Sequence, residues 1–156
     1  VDIKSILSPE RTHSALAAAS KKRAIEEAAR EIAHSLQGVS AESIFESLIS
    51  REKLGTTAIG HGIAIPHCRV PSCESIVGSL FKLEEPVDFD AFDNEPVRLL
   101  FVLLVPADEV DEHLKTLAML AARFESESYR QRLLSARNDG ELFEQAIAEV
   151  ANTSTT

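Results

Sequence analysis

Tryptophan is absent from this chain, methionine and tyrosine occur once each, and there are only two cysteines. Cys68 and Cys73 are too few and too close in sequence for a disulfide framework, so the expected setting is a reducing cytoplasm. No apolar run approaches the roughly 20 residues that cross a bilayer, and no membrane insertion is expected. The opening VDIKSILSPE shows no basic start, apolar middle and small-residue cleavage site in succession, so it does not read as a secretory signal. Positive charge is scarce too: 16 Lys and Arg stand against 25 Asp and Glu, a net charge of -9. Binding a phosphate backbone needs a basic patch, and the cations here are scattered among carboxylates; a nucleic-acid partner is not expected.

What remains is globular in composition, 44% hydrophobic and 26% charged over 156 residues. That length suits one domain with a real core, so residues 1–156 are expected to form a single unit with a frayed tail at 152–156. Residues 1–19 look irregular. Ser20 then caps a helix with apolar positions Ile25, Ala28, Ala29, Ile32, Ala33 and Leu36, stopped by Gly38. A second helix after Ser40 carries Ile44, Phe45, Leu48 and Ile49 inward and ends at Arg51 and Glu52. A loop over 54–62 leads to a brief strand over 62–66, and a further strand spans 75–83, ended by Pro86. After an acidic loop with buried-looking Phe89 and Phe92, Val97–Val105 is nearly all apolar, as in a central strand covered on both faces. Three helices follow. The first, from about Asp108 to Phe124, places Leu114, Leu117, Leu120 and Phe124 on its apolar face, with Asp108, Glu109, Asp111 and Glu112 at the end favoured by the dipole. The second starts after Ser126 and the third after Asp139, the last with Leu142, Phe143, Ile147 and Val150. Helices interleave with strands, so the class is α/β.

The chemistry-bearing stretch is Arg51–Arg69, REKLGTTAIGHGIAIPHCR. His67 follows Pro66 at the expected end of a strand, held by rigid backbone and open to solvent. A neutral imidazole there has a free lone pair able to accept a phosphoryl group reversibly. Such a transfer spreads negative charge over the equatorial oxygens, which must be met by fixed donors. Arg51, with its planar fork, and His113, after the central strand, are the available candidates. On spacing alone each has an ordinary alternative: a rim histidine for His67, a solvated helix-end cation for Arg51, a helix-face histidine for His113. His13 and His34 read as exposed residues without a role. A zinc site from His61, His67, Cys68 and Cys73 is disfavoured, because His67 and Cys68 as strand neighbours point to opposite faces and no C-x-x-C pair exists. A Cys-His hydrolase is weaker still, since Cys68 has no nucleophile turn.

The run Gly62-Ile63-Ala64-Ile65-Pro66-His67 is preceded by Arg51-Glu52-Lys53-Leu54-Gly55. It is followed by PVDFDAFDNEPVRLLFVLLVPAD and Glu112-His113-Leu114. Together these resemble the enzyme IIA family of the bacterial phosphotransferase system, fructose/mannitol type, and within it the nitrogen-regulatory branch. The resemblance implies a mixed parallel and antiparallel sheet, of about five strands, with helices on both faces. It implies that His67 is phosphorylated by an HPr-like phosphohistidine carrier, with Arg51 and His113 stabilising the transferring group. It requires no metal or organic cofactor, because transfer runs directly between side chains. Regulatory target proteins would then read the phosphorylation state. Two other readings stand beside this one: a sugar-transport IIA component passing phosphate to a IIB domain, and a binding module that is never phosphorylated. His61 and Cys68 have no expected role in any of them.

The net charge further suggests an apolar docking face around His67 with an acidic rim. His67→Asp is expected not to reproduce the phosphorylated state, since one carboxylate carries less charge and fewer acceptor oxygens than a phosphoryl group. Partner affinities measured side by side for that variant and for phosphorylated protein should differ, and equal values would refute the expectation.

Overall fold

A segment that is apolar at every position but one has no side to spare for solvent, and Val97–Val105 is such a segment, interrupted only by Arg98. The computed structural model, which describes residues 2–108 and 110–149, places it inside a six-stranded sheet. In chain order the elements are β1 (Thr12–Leu16), α1 (Lys21–Ser35), α2 (Ala41–Glu52), β2 (Ala58–Gly60), β3 (Ile63–Ala64) and β4 (His67–Arg69). They continue with β5 (Val77–Val87), β6 (Val97–Val105), α3 (Val110–Glu125), α4 (Glu127–Leu134) and α5 (Asp139–Ile147). The sheet order is β1-β5-β6-β3-β2, with β4 also on β6. β5 runs antiparallel to β6, β3 and β4 run parallel to it on its other side, and β1 lies parallel to β5 at the edge.

The pleat of β6 divides its side chains between two cores. Leu100, Val102 and Leu104 pack with Ile25, Ile32, Ile44 and Leu48 of α1 and α2. Leu99, Phe101, Leu103 and Val105 pack with Leu120, Phe124, Leu133 and Leu142 of α3, α4 and α5. Full burial of each such side chain is worth about 1.5–3 kcal/mol, so this one strand anchors both helical layers. Four of the helices begin with a side-chain cap: Ser20, Ser40, Ser126 and Asn138 accept from the amides of Arg23, Ser43, Tyr129 and Glu141.

Several expectations give way. Residues 2–19 are not wholly irregular: Thr12–Leu16 pairs with β5 and becomes the sixth strand. THSAL lacks a clean apolar alternation, and only its partner makes it a strand. His13, read as exposed, is half-buried and stacks on Phe81 with ring centroids 5.3 Å apart, whereas His34 is exposed. Helix α1 stops at Ser35, short of Gly38. Ala58–Gly60, read as loop, forms a hairpin with β3, and β5 runs through Pro86 to Val87. That proline is tolerated because the ladder to β6 shifts between Lys82 and Val87, where its missing N–H costs no hydrogen bond. Phe89 is buried, but Phe92 is 80% exposed and Leu114 60% exposed. Asn138, one residue before Asp139, caps α5. Glu109, Val150 and the 152–156 tail lie outside the described residues.

The strand pair β5–β6 leaves no room beside Gly78. A Cβ there would sit 2.8 Å from the Phe101 ring and 3.3 Å from the Ile6 carbonyl oxygen, and both neighbours are buried. Gly78→Ala should therefore destabilise the fold by about 1–3 kcal/mol through overpacking. Chemical denaturation measures this directly; an unchanged midpoint would contradict it.

Candidate functional site

The segment from Ile63 to Arg69 lies along β6 in one unbroken register. Ile63 pairs with Leu99, Ala64 with Leu100, His67 with Leu103, Cys68 with Leu104 and Arg69 with Val105. Pro66 has no amide to donate and so splits the segment into β3 and β4, yet its carbonyl still accepts from Leu103 N at 2.9 Å. His67 therefore opens a strand and does not close one, and it is half-buried where exposure was expected. Because the register is kept, so is the alternation. Ile63 and Ile65 belong to the core beneath α3, α4 and α5, while Ala64 and Cys68 belong to the core beneath α1 and α2. His67 follows the first set, toward α3.

His113 stands in the first turn of α3, and its ring meets that of His67 edge to face, with centroids 5.2 Å apart at 67°. Arg51, in the last turn of α2, donates to the Gly55 carbonyl at 2.9 Å. All three side chains line one cavity of about 610 Å³, together with Leu54, Cys68, Arg69, Glu46 and three serines. The structure thus brings Arg51, His67 and His113 together. His113 Nε2 is buried and has no hydrogen-bond partner among the described residues.

The state of His67 follows from its contacts. Nδ1 lies 2.7 Å from the Ile65 carbonyl oxygen. A carbonyl can only accept, so Nδ1 carries the proton and the neutral ring keeps its lone pair on Nε2. Burial is the main influence on the pKa of His67 and holds it below the usual imidazole value; the Ile65 bond opposes this, the Arg51 cation assists it, and Glu52 opposes it. His113 is lowered in the same way, chiefly by burial and then by His67, Arg69 and Arg51.

Arg69 was overlooked as a site residue, although it stands at the end of the stretch singled out in the sequence. It lines the cavity, and its guanidinium donates to the Ala107 carbonyl. With Arg51 it makes the cavity locally cationic against Glu46 alone, so the acidic surround inferred from net charge does not extend to the lining. Of the exposed large apolar side chains, Leu54 lines the cavity. Cys68 is buried and its thiol is pushed up to about 12, mainly by burial, which leaves no thiolate for nucleophilic chemistry. His61 sits elsewhere, in the β2–β3 turn at φ 59, beside Gly62 at φ 79, and its amide donates to Asp93 at 2.9 Å. Two successive positive φ values make the turn that joins twisted strands, so its place is conformational. Among the described residues no three His, Cys, Asp or Glu side chains are grouped to hold a metal ion, and no helix is long and apolar enough to cross a membrane.

The sequence and the mixed sheet of this chain match a known family. The model described as phosphoenolpyruvate-dependent sugar phosphotransferase system, EIIA 2, matches residues 5–149, and the chain belongs to that family. Within it, the chain is 44% identical over 152 residues to the nitrogen regulatory protein of Pseudomonas aeruginosa, covering 97% of this chain and 98% of that protein. It is 42% identical over 154 residues to the nitrogen regulatory protein of Escherichia coli (strain K12), covering 98% and 93%. The crystal structure of nitrogen regulatory protein IIA-Ntr from Neisseria meningitidis superimposes with a TM-score of 0.83 at 38% identity, over 92% of this chain and 98% of that one. The family resemblance carried by the GIAIPH run and its surroundings is thus shown, and these relatives are of the nitrogen-regulatory kind.

The lowered pKa values set a direction with pH. Both rings stay neutral in the folded protein to lower pH than free imidazole, so stability is fully present above the ordinary value and is lost as pH falls through it toward the folded values. In an NMR titration the Cε1–H signals of His67 and His113 should shift with midpoints below 6.5. Midpoints above that value would show that burial does not govern these rings.

Proposed function

We propose that residues 1–156 act as a single EIIA-type domain, a cytoplasmic phosphocarrier that accepts a phosphoryl group on His67 from an HPr-like phosphohistidine carrier and regulates partner proteins by its phosphorylation state. The observation that carries this reading is the His67 ring itself, tied by Nδ1–H to Ile65 and lining an arginine-bearing cavity with Nε2 unprotonated. Nε2 attacks phosphorus, an N–P bond forms, the N–P bond to the carrier breaks, and its electron pair returns to the carrier's imidazole. Neither proton release nor a cofactor enters that balance.

The surrounding groups suit the charge that develops. Arg51 is a fixed cation whose planar fork fits two phosphoryl oxygens, and holding it in place beforehand avoids reorganisation during transfer. His113, whose buried Nε2 lies beside His67 and has no partner among the described residues, supplies a hydrogen-bonding nitrogen to a third oxygen. The full-length similarity to nitrogen regulatory proteins supports the regulatory outcome over sugar transport.

The test is labelling by a phosphorylated HPr-like carrier. His67→Ala should take up no label, while Arg51→Ala and His113→Ala should still be labelled on His67, more slowly by about 10- to 1,000-fold. Equal labelling of His67→Ala and the unaltered protein would sink the assignment. Rapid onward transfer to a IIB domain would favour the transport reading, and no labelling of the intact protein would favour the binding module.

A further inference from the structure

Arg51 and His67 come from different elements, and something must hold α2 and the 63–69 segment in a fixed relation. The residue next to Arg51 is a carboxylate that is only 7% exposed. Glu52 accepts from the Thr57 amide at 3.0 Å through Oε2 and from the Thr57 hydroxyl at 2.6 Å through Oε1. Lys21 Nζ lies 3.0 Å from Oε2 and bridges on to Asp90 at 3.2 Å. Burial works against the Lys21 ammonium, but its bonds to Glu52 and Asp90 outweigh that and raise its pKa, so the buried carboxylate has a firm counter-ion.

The contacts beyond Thr57 lead to the acceptor. The Thr57 carbonyl accepts from Ile65 N at 3.0 Å. The Ile65 carbonyl in turn accepts from His67 Nδ1 at 2.7 Å. On the other side, the Glu52 carbonyl accepts from Gly55 N at 3.1 Å, and the Gly55 carbonyl accepts from Arg51 at 2.9 Å. Glu52 is thus the junction of two hydrogen-bonded chains, one ending on the His67 ring and the other on the Arg51 guanidinium.

We propose that Glu52 is a positioning residue for the phosphoryl transfer, clamping the α2 exit to Thr57 so that the Ile65 carbonyl fixes the Nδ1–H tautomer of His67 while Arg51 is held beside it. The proposal rests on His67 being the acceptor, and it adds a buried group that touches neither phosphoryl donor nor acceptor. The tautomer matters because an imidazole left to itself favours the proton on Nε2, the form with no lone pair on the nitrogen proposed to attack. Loosening the clamp would therefore lower both the fraction of reactive His67 and the rate of transfer, while the link to Arg51, which runs through the Glu52 main-chain carbonyl, stays in place. An ordinary structural carboxylate would affect stability without touching either.

The experiment compares Glu52→Ala, Glu52→Gln and Thr57→Val with the unaltered protein by two readouts. Long-range ¹H–¹⁵N NMR at neutral pH reports the His67 tautomer, and single-turnover labelling from a phosphorylated carrier reports the rate. Glu52→Ala should show a mixture of tautomers and a loss in rate of about 10- to 100-fold, with little change in carrier KM. Glu52→Gln, which keeps an acceptor for Thr57, should lose less. A folded Glu52→Ala that keeps the Nδ1–H tautomer and the original rate overturns the proposal, even if its Tm falls. Should Glu52→Ala fail to fold, the same two readouts on Glu52→Gln and Thr57→Val decide. If the unaltered protein takes no label, the phosphocarrier reading fails by itself, and the tautomer still shows whether Glu52 sets the His67 ring.

Discussion

The pairing of residues 63–69 along β6 is the constraint on which the site depends. β6 is buried on both faces and cannot move without disturbing two cores. A segment that keeps one register against it through a proline inherits that rigidity. Alternation along the segment then decides that Ile63, Ile65 and His67 share a side and that Cys68 does not. A slip of one residue would bury the imidazole under α1 and α2 and offer a thiol in its place. The geometry of the histidine traces to that ladder.

Electrostatics at the strand end run opposite to the chain as a whole. The net charge is -9, yet the cavity carries Arg51 and Arg69 against one carboxylate. Partial burial lowers the pKa values of both imidazoles, and the neighbouring guanidinium charges push the same way. A neutral histidine beside fixed cations is a poor arrangement for a protonated ring and a good one for an incoming anion. Folding accepts the cost of desolvating these groups because the helices that carry them are anchored elsewhere, in layers that bury large side chains against β6.

Much of this was legible in particular residues. The unbroken apolar run in β6 announced a strand covered on both faces, and capping serines marked the starts of α1, α2 and α4. Other features had no local signal. Thr12–Leu16 became a strand only by pairing with β5, and Phe92 looked buried because aromatic residues usually are, yet it lies on the surface above Gly60. Arg69 and Glu52 both sat inside the stretch that drew attention. Nothing in their spacing said that one would line the cavity and the other would be buried on Thr57 and Lys21.

By itself, the sequence determined the α/β class, most helix starts, the buried central strand and the family to which the chain belongs. These are written in periodicity and caps, which act over a few neighbouring residues, and in the context of the GIAIPH run, which is read along the chain without any contact between its parts. Tertiary structure alone decided that Arg51, His67 and His113 share one cavity, that His67 holds its proton on Nδ1, that His61 sits in a turn away from that cavity, and that the Cys68 thiol is buried with a raised pKa. Those outcomes depend on strand register, on which helix covers which face, and on how much water reaches each ring. Such quantities arise only between segments distant in the chain.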